Sequence, residues 1–217
     1  ETVRLLPMDE TISIAREAAP SGSGPLLIGD YTDNPDGGAP GDATNLIRAL
    51  IAAGIKGVAV GAIADSDAAA AGLKAGIGAT VTVDLGGKKD PRFSGTPIRL
   101  IGTVGAVSDG IYVRKGKVAN GTRANMGPSF RLDLDGMQII VATYATPIYE
   151  REQFRMYGIE PERVNILACK AMNHFRADFE PIGRRLIYVD AGGLCSLNFK
   201  QFPWKKLRRP IWPLDLS

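Results

Sequence analysis

"PLLIGDYTDNPDGGAPGDATNLIRALIAAGIKGVAVGAIA", residues 25–64, sets an apolar run, a polar loop, an amphipathic stretch and a second apolar run in a row. Leu26 to Gly29 has strand length and ends in Asp30, the pattern of a buried strand. After the loop, Asp42 is placed to N-cap a helix over 43–54. Leu46, Ile47, Leu50 and Ile51 form its apolar stripe and Gly54 stops it. "KGVAVGAIA", residues 56–64, then reads as a second, fully buried strand. Strand, helix, strand over this length is a βαβ unit, so the two strands are expected to run parallel with a right-handed crossover.

Further on, "DSDAAAAGLKAG" (65–76) reads as a helix capped by Asp65 or Asp67 and closed by Gly76, and "ATVTVDLGGK" (79–88) as a third strand. From Pro97 the texture changes to short runs split by Gly, Asp and Asn, with Asp135-Gly136 the clearest hairpin turn. This predicts an inserted antiparallel β module at about 97–143. The αβ texture returns with a helix near Glu150 to Tyr157, strand "RVNILACK" (163–170), helix "NHFRADFEPI" (173–182) and strand "RLIYVDA" (185–191). The fold class is therefore α/β: a parallel or mixed sheet with flanking helices and an antiparallel insertion.

Residues 1–24 read as a helix from about Asp9 to Ala19 and a linker, "PSGSGP", expected to come from an upstream domain, with residues 25–217 as the domain proper. Glycine supplies 26 of the 217 residues, against a usual share of about 7%; tight turns and close backbone approaches follow. The net charge of +3 is a small difference between 26 basic and 23 acidic residues and selects no partner. The one local basic excess, Lys200, Lys205, Lys206, Arg208 and Arg209 among Trp204, Trp212 and three prolines, is expected to be a solvated strap packing its tryptophans on the body, not a nucleic-acid site. Two separated cysteines, Cys169 and Cys195, point to a reducing compartment. No apolar stretch is long enough to span a membrane. A cytoplasmic protein without nucleic-acid or membrane partners is expected.

In open parallel sheets ligands gather at the carboxyl ends of strands. Those ends read as Asp30 to Gly41, Ala64 to Asp67, Gly86-Gly87-Lys88, Lys170 to His174 and Asp190 to Gly193. The first loop allows close backbone approach at Gly37, Gly38 and Gly41, yet it fits no phosphate-loop pattern, and Asp33, Asp36 and Asp42 would repel a phosphate. It suits a cation, an amide or an amine, or else it is a tight connection whose Asp and Asn residues serve turns and caps. His174 is the one histidine, a natural proton carrier at neutral pH and equally a candidate structural residue. One histidine and two separated cysteines cannot assemble a zinc site from His and Cys alone. No G-x-S-x-G occurs.

Taken together, the loop, "LGGK", "NHFRADFEPI" and "RRPIWPLD" resemble the C-terminal domain of the MlrC family, metallopeptidases named for breaking down linearised microcystin. The likeness runs from about Ile12 to Asp215. Asp33, Asn34, Pro35, Gly37, Gly38, Pro40, Gly41, Asp42 and Thr44 match the family loop D-N-P-G-G-G-x-P-G-D-[SG]-T, with Asp36 in place of its first glycine. Lys170, His174, Phe175 and Arg176 match K-S-x-x-H-F-R, with Ala171 where serine is usual.

The resemblance implies a bilobed, zinc-dependent hydrolase of peptide or amide bonds, about twice this length, whose metal ligands lie in an N-terminal domain. On this lobe no metal ligand is expected. His174 would be the catalytic candidate. Asp33, Asn34, Gly37, Gly38, Gly41, Asp42, Thr44, Lys170 and Arg176 would bind substrate, with Lys170 or Arg176 holding a substrate carboxylate. The lobe alone is expected to be inactive, its partners being its own N-terminal domain and a small peptide or amide; a homo-oligomer stays open. The alternative is a non-catalytic small-ligand or partner-binding α/β module. Nucleic-acid binding through the basic tail ranks last.

Overall fold

Alternate residues of the central strands go to opposite faces of one sheet, and the two faces bury separate cores. The structure is a computed structural model and describes residues 3–18 and 24–215. In β2 (Leu26–Asp30), Leu26 and Ile28 enter one core and Leu27 the other; in β10 (Ile166–Cys169), Ile166 and Ala168 part from Leu167 and Cys169 in the same way. β3 (Val58–Ala64) and β11 (Arg185–Val189) repeat the division, with Val58, Val60, Ile187 and Val189 on the first face and Ala59 and Tyr188 on the second. Strands covered on both faces can be apolar throughout, which is why these runs show no polar alternation.

Helices α1 (Met8–Glu17), α2 (Asn45–Ala52) and α3 (Ser66–Ala75) lay Ile12, Leu46, Ile47, Leu50, Ala68 and Ala69 on the first face. The short helices α4 (Glu152–Arg155) and α5 (Arg176–Phe179) bring Phe154 and Phe179 to the second, their rings edge to face at 5.8 Å. With β1 (Leu5–Leu6), β4 (Thr80–Leu85), β5 (Ile98–Ser108), β6 (Ile111–Val113), β7 (Arg123–Asn125), β8 (Ser129–Leu134) and β9 (Met137–Ala142), the elements make a nine-stranded sheet of order β1-β11-β2-β10-β3-β9-β8-β5-β4 and a small sheet of β6 and β7. The first six strands in that order are parallel and the remaining pairings antiparallel. The α/β class with an antiparallel portion is what the sequence predicts.

Several details differ from that reading. β2 and β3 run parallel but are not neighbours, because β10 lies between them. β4 is not a continuation of the parallel run; it pairs antiparallel with β5, and its exposed Thr80, Thr82 and Asp84 alternate with buried Val81, Val83 and Leu85. Asp42 does not cap α2, whose N-cap is Thr44, since the Asp42 carboxylate is engaged elsewhere. The helix near 150–157 shrinks to α4, and that in 173–182 to α5 followed by a 3-10 turn, Glu180–Ile182. Asp65 does cap α3, accepting from the Ala68 amide at 3.1 Å. Gly136, at φ +81°, makes the two-residue turn between β8 and β9. Of the expected linker, residues 20–25, residues 20–23 lie outside the described residues, as does Ala19 at the end of the expected first helix. Of the two tryptophans expected to pack on the body, Trp212 stays 70% exposed, while Trp204, 49% exposed, meets Phe202 at 5.6 Å between ring centroids, and Phe202 meets Phe93 at 5.5 Å.

Candidate functional site

Because β2, β3, β9, β10 and β11 are parallel, the segments that leave them emerge at one end of the sheet. The loop after β2 is fixed by charge. Lys170, just past β10, sets its ammonium 2.6 Å from Asp33 Oδ2 and 2.9 Å from Asp30 Oδ2 and donates to the Ala43 carbonyl at 3.0 Å. Asp33 also accepts from the Gly41 and Ala43 amides, at 3.0 and 2.7 Å. Burial by itself would pull the Lys170 pKa down, but the two carboxylates outweigh it and hold the ammonium above its ordinary range. Burial, against the pull of Lys170, pushes Asp33 up, and the Asp30 charge adds to that.

Hydroxyl and amide groups complete the knot. Thr32 Oγ1 accepts from the Ala191 and Gly193 amides at 3.1 and 3.0 Å, tying the loop after β11 to the loop after β2. Asp42 Oδ2 accepts from the Lys88 and Lys89 amides at 2.8 and 2.9 Å, and its carbonyl accepts from Gly87 at 2.7 Å. Thr44 Oγ1 donates to the Thr96 carbonyl at 2.8 Å. Asp65 receives the Gly86 amide and the Lys88 ammonium, both at 2.8 Å. So "LGGK" does reach the first loop, although β4 lies in the antiparallel half. Gly86 and Gly87 have φ of +58° and +61°, and a Cβ on Gly86 would lie 2.4 Å from the Asp42 carbonyl oxygen, so that approach requires glycine.

The residues singled out in the sequence thus fall into two groups. Asp33, Asp42, Thr44 and Lys170 are buried and hydrogen-bonded within the protein. Asn34 is buried too; its Oδ1 accepts from the Asp36 amide at 3.2 Å, whereas its Nδ2, like Asp42 Oδ1, has no partner among the described residues. Gly41 is buried, Gly37 and Gly38 are exposed, and a Cβ on Gly37 would lie 2.5 Å from Cys195 Sγ. Arg176 pairs with Glu180 at 2.9 Å. His174 is exposed, its Nδ1 3.3 Å from Asp36 Oδ2.

Sequence reasoning does not find three further groups. Tyr149, after β9, donates its hydroxyl to Asp36 Oδ1 at 2.5 Å; its pKa is pushed up to about 12 by partial burial and by that carboxylate. The Arg114 guanidinium lies 4.6 Å over the Tyr149 ring. Glu150, 2% exposed, accepts from the Lys115 and Gly116 amides.

Among the described residues no group of three or more His, Cys, Asp and Glu side chains is placed to hold a metal ion, and Asp30 and Asp33 are already matched by an ammonium. The donor set of these residues does not fit a metal centre of its own. No helix among them is long and apolar enough to cross a membrane.

A mixed-sheet α/β domain with its polar loops locked at the carboxyl end of the parallel strands is the class these features define. The chain belongs to the MlrC C-terminal family, described as MlrC C-terminus, which it matches over residues 28–206. Microcystinase C from Sphingomonas sp. is 30% identical over 191 residues, covering 88% of this chain and 36% of that protein. A crystal structure described as a "putative metallopeptidase", from Mesorhizobium sp. BNC1, superposes with a TM-score of 0.85 at 28% identity, covering 99% of this chain and 42% of the other. The chain therefore spans well under half the length of the relatives it matches.

Proposed function

We propose that this chain is the C-terminal lobe of a zinc-dependent peptide or amide hydrolase of the cytoplasm, in which the loops at the sheet's carboxyl end form one wall of the cleft. The observation that carries the reading is the convergence of the segments after three parallel strands, β2, β10 and β11, with the turn after β4, cross-linked through Lys170, Thr32 and Asp42. A wall held by buried charge presents its outer groups in fixed geometry, which is what orientation of a substrate needs. The metal, in this reading, is held by residues outside these 217, and the names of the two relatives support the hydrolase class. Lys170 serves as the internal counter-ion of the loop. Contact with substrate falls to the exposed Gly37, Gly38 and His174 and to Arg176 at the rim.

The test compares the 217 residues with a protein of the relatives' full length that includes them. Only the longer protein should cleave linear peptides, linearised microcystin among them, and a chelator should stop it. Chelator-sensitive cleavage by the 217 residues alone would defeat this division of labour.

A further inference from the structure

His174 is the one histidine of the chain, and its ring is held from two sides. Asp36, in the 3-10 turn Pro35–Gly37 after β2, faces Nδ1 with Oδ2 at 3.3 Å and takes the Tyr149 hydroxyl on Oδ1 at 2.5 Å. The Tyr149 ring stands edge-on to the imidazole, with centroids 5.4 Å apart and planes at 80°. Arg114 covers the same ring at 4.6 Å. The Asp36 side chain is 30% exposed and the imidazole 60%. Asp36, Tyr149 and His174 come from three separate loops, so nothing but the fold brings them together.

A carboxylate accepts hydrogen bonds and donates none. The imidazole nitrogen facing Asp36 must therefore carry the proton, and in a neutral ring the other nitrogen, Nε2, keeps its lone pair. The Tyr149 hydroxyl occupies the second carboxylate oxygen, which prevents Asp36 from swinging away. The outer edge of the ring stays open to solvent.

We propose that Asp36 and Tyr149 are positioning residues that hold His174 as the Nδ1–H tautomer, leaving Nε2 as the proton acceptor at the mouth of the cleft. Its use rests on the hydrolase reading above; the tautomer does not. In amide hydrolysis, Nε2 takes a proton from water as the water oxygen bonds to the carbonyl carbon. The same proton passes to the departing nitrogen as the C–N bond breaks.

The sole histidine makes the test direct. In the 217-residue chain labelled with 15N-histidine, at about pH 9 where an ordinary imidazole is neutral, the two ring nitrogens report which one bears hydrogen. The expected result is Nδ1–H in the parent chain, a change toward Nε2–H in Asp36→Ala, and retention of Nδ1–H in Asp36→Glu. An Nε2–H ring in the parent, which needs no variant to observe, overturns the proposal, as does an Asp36→Ala ring that stays Nδ1–H. In the full-length protein, Asp36→Ala should lower kcat by about 10- to 100-fold while KM moves less than about threefold; an unchanged kcat overturns it equally. A full-length parent that cleaves no peptide at all would instead remove the hydrolase reading, and the tautomer would still decide the placement.

Discussion

Lys170 and Asp33 meet at the carboxyl end of the sheet with 2.6 Å between Nζ and Oδ2, both side chains at 4% exposure or less. Asp30 and the Ala43 carbonyl take the two other directions of the ammonium, so all three of its donors are used inside the protein. Removing the cation leaves two carboxylates buried and uncompensated, the costly way to break such a group. Lys170→Ala is expected to lower stability by about 3–5 kcal/mol, measured by urea unfolding at neutral pH. The raised Lys170 pKa fixes the sign of the pH dependence. The contribution is complete below the unfolded value near 10.5 and is lost only as pH rises through the higher folded one. A loss under about 1 kcal/mol, the range of a surface pair, would contradict the assignment.

Asp42 joins two segments remote in sequence. Its Oδ2 takes the amides of Lys88 and Lys89, and without it those two donors lose their partner at a partly buried turn. Asp42→Ala should cost about 1–3 kcal/mol and raise amide exchange at Lys88 and Lys89 while leaving the protection of β2 and β10 intact. Unchanged exchange at those two amides would show that the turn is held by other contacts.

How far the sequence carries these features depends on whether the cause is local. β2, β3 and β10 are legible because strands buried on both faces need apolar residues throughout. The Asp65 cap and the Asp135-Gly136 turn are legible because each is settled within a few residues. The sequence reading counts the end of β4 among the parallel strand ends, although Thr80, Thr82 and Asp84 alternating with Val81, Val83 and Leu85 are the mark of a half-exposed antiparallel strand. The loop motif gives the position of the site but not its wiring. Asp42 has the spacing of a helix cap, and only tertiary structure brings it the amides of a turn 46 residues on. Tyr149 and Asp36 are 113 residues apart, and no local pattern links them.

Tyr149 gives a pH prediction of opposite chemistry to a carboxylate. Partial burial, and then the bond to Asp36, push the phenol up to about 12, because only the neutral form can donate. A raised folded pKa means that the stabilisation is whole below the unfolded value of 10.0 and disappears as pH rises through about 12. The stability difference between the parent and Tyr149→Phe should therefore be constant from neutrality to about pH 9 and shrink above it. In Asp36→Ala, ultraviolet titration should show one tyrosine moving down toward 10.0. A difference that stays flat through strongly alkaline pH would separate Tyr149 from Asp36.

Gly72 sets two physical effects against each other. It lies inside α3, where replacing glycine by alanine ordinarily gains about 1 kcal/mol through helix propensity. Here, however, the added Cβ would lie 2.5 Å from both Cδ1 and Cε1 of Phe130 and 2.6 Å from its Cγ. Phe130 is fully buried in β8, so its ring cannot yield as a flexible chain end would. Overpacking a filled core costs about 1–3 kcal/mol, which exceeds the propensity gain. Gly72→Ala is expected to destabilise the protein, and Gly76→Ala is no control because Gly76 has a φ of +82°. The suitable control is Gly72→Ala combined with Phe130→Leu, which removes the ring. If packing is the cause, the alanine should cost less in the Phe130→Leu background than in the parent; an equal cost in both would trace it to something other than Phe130.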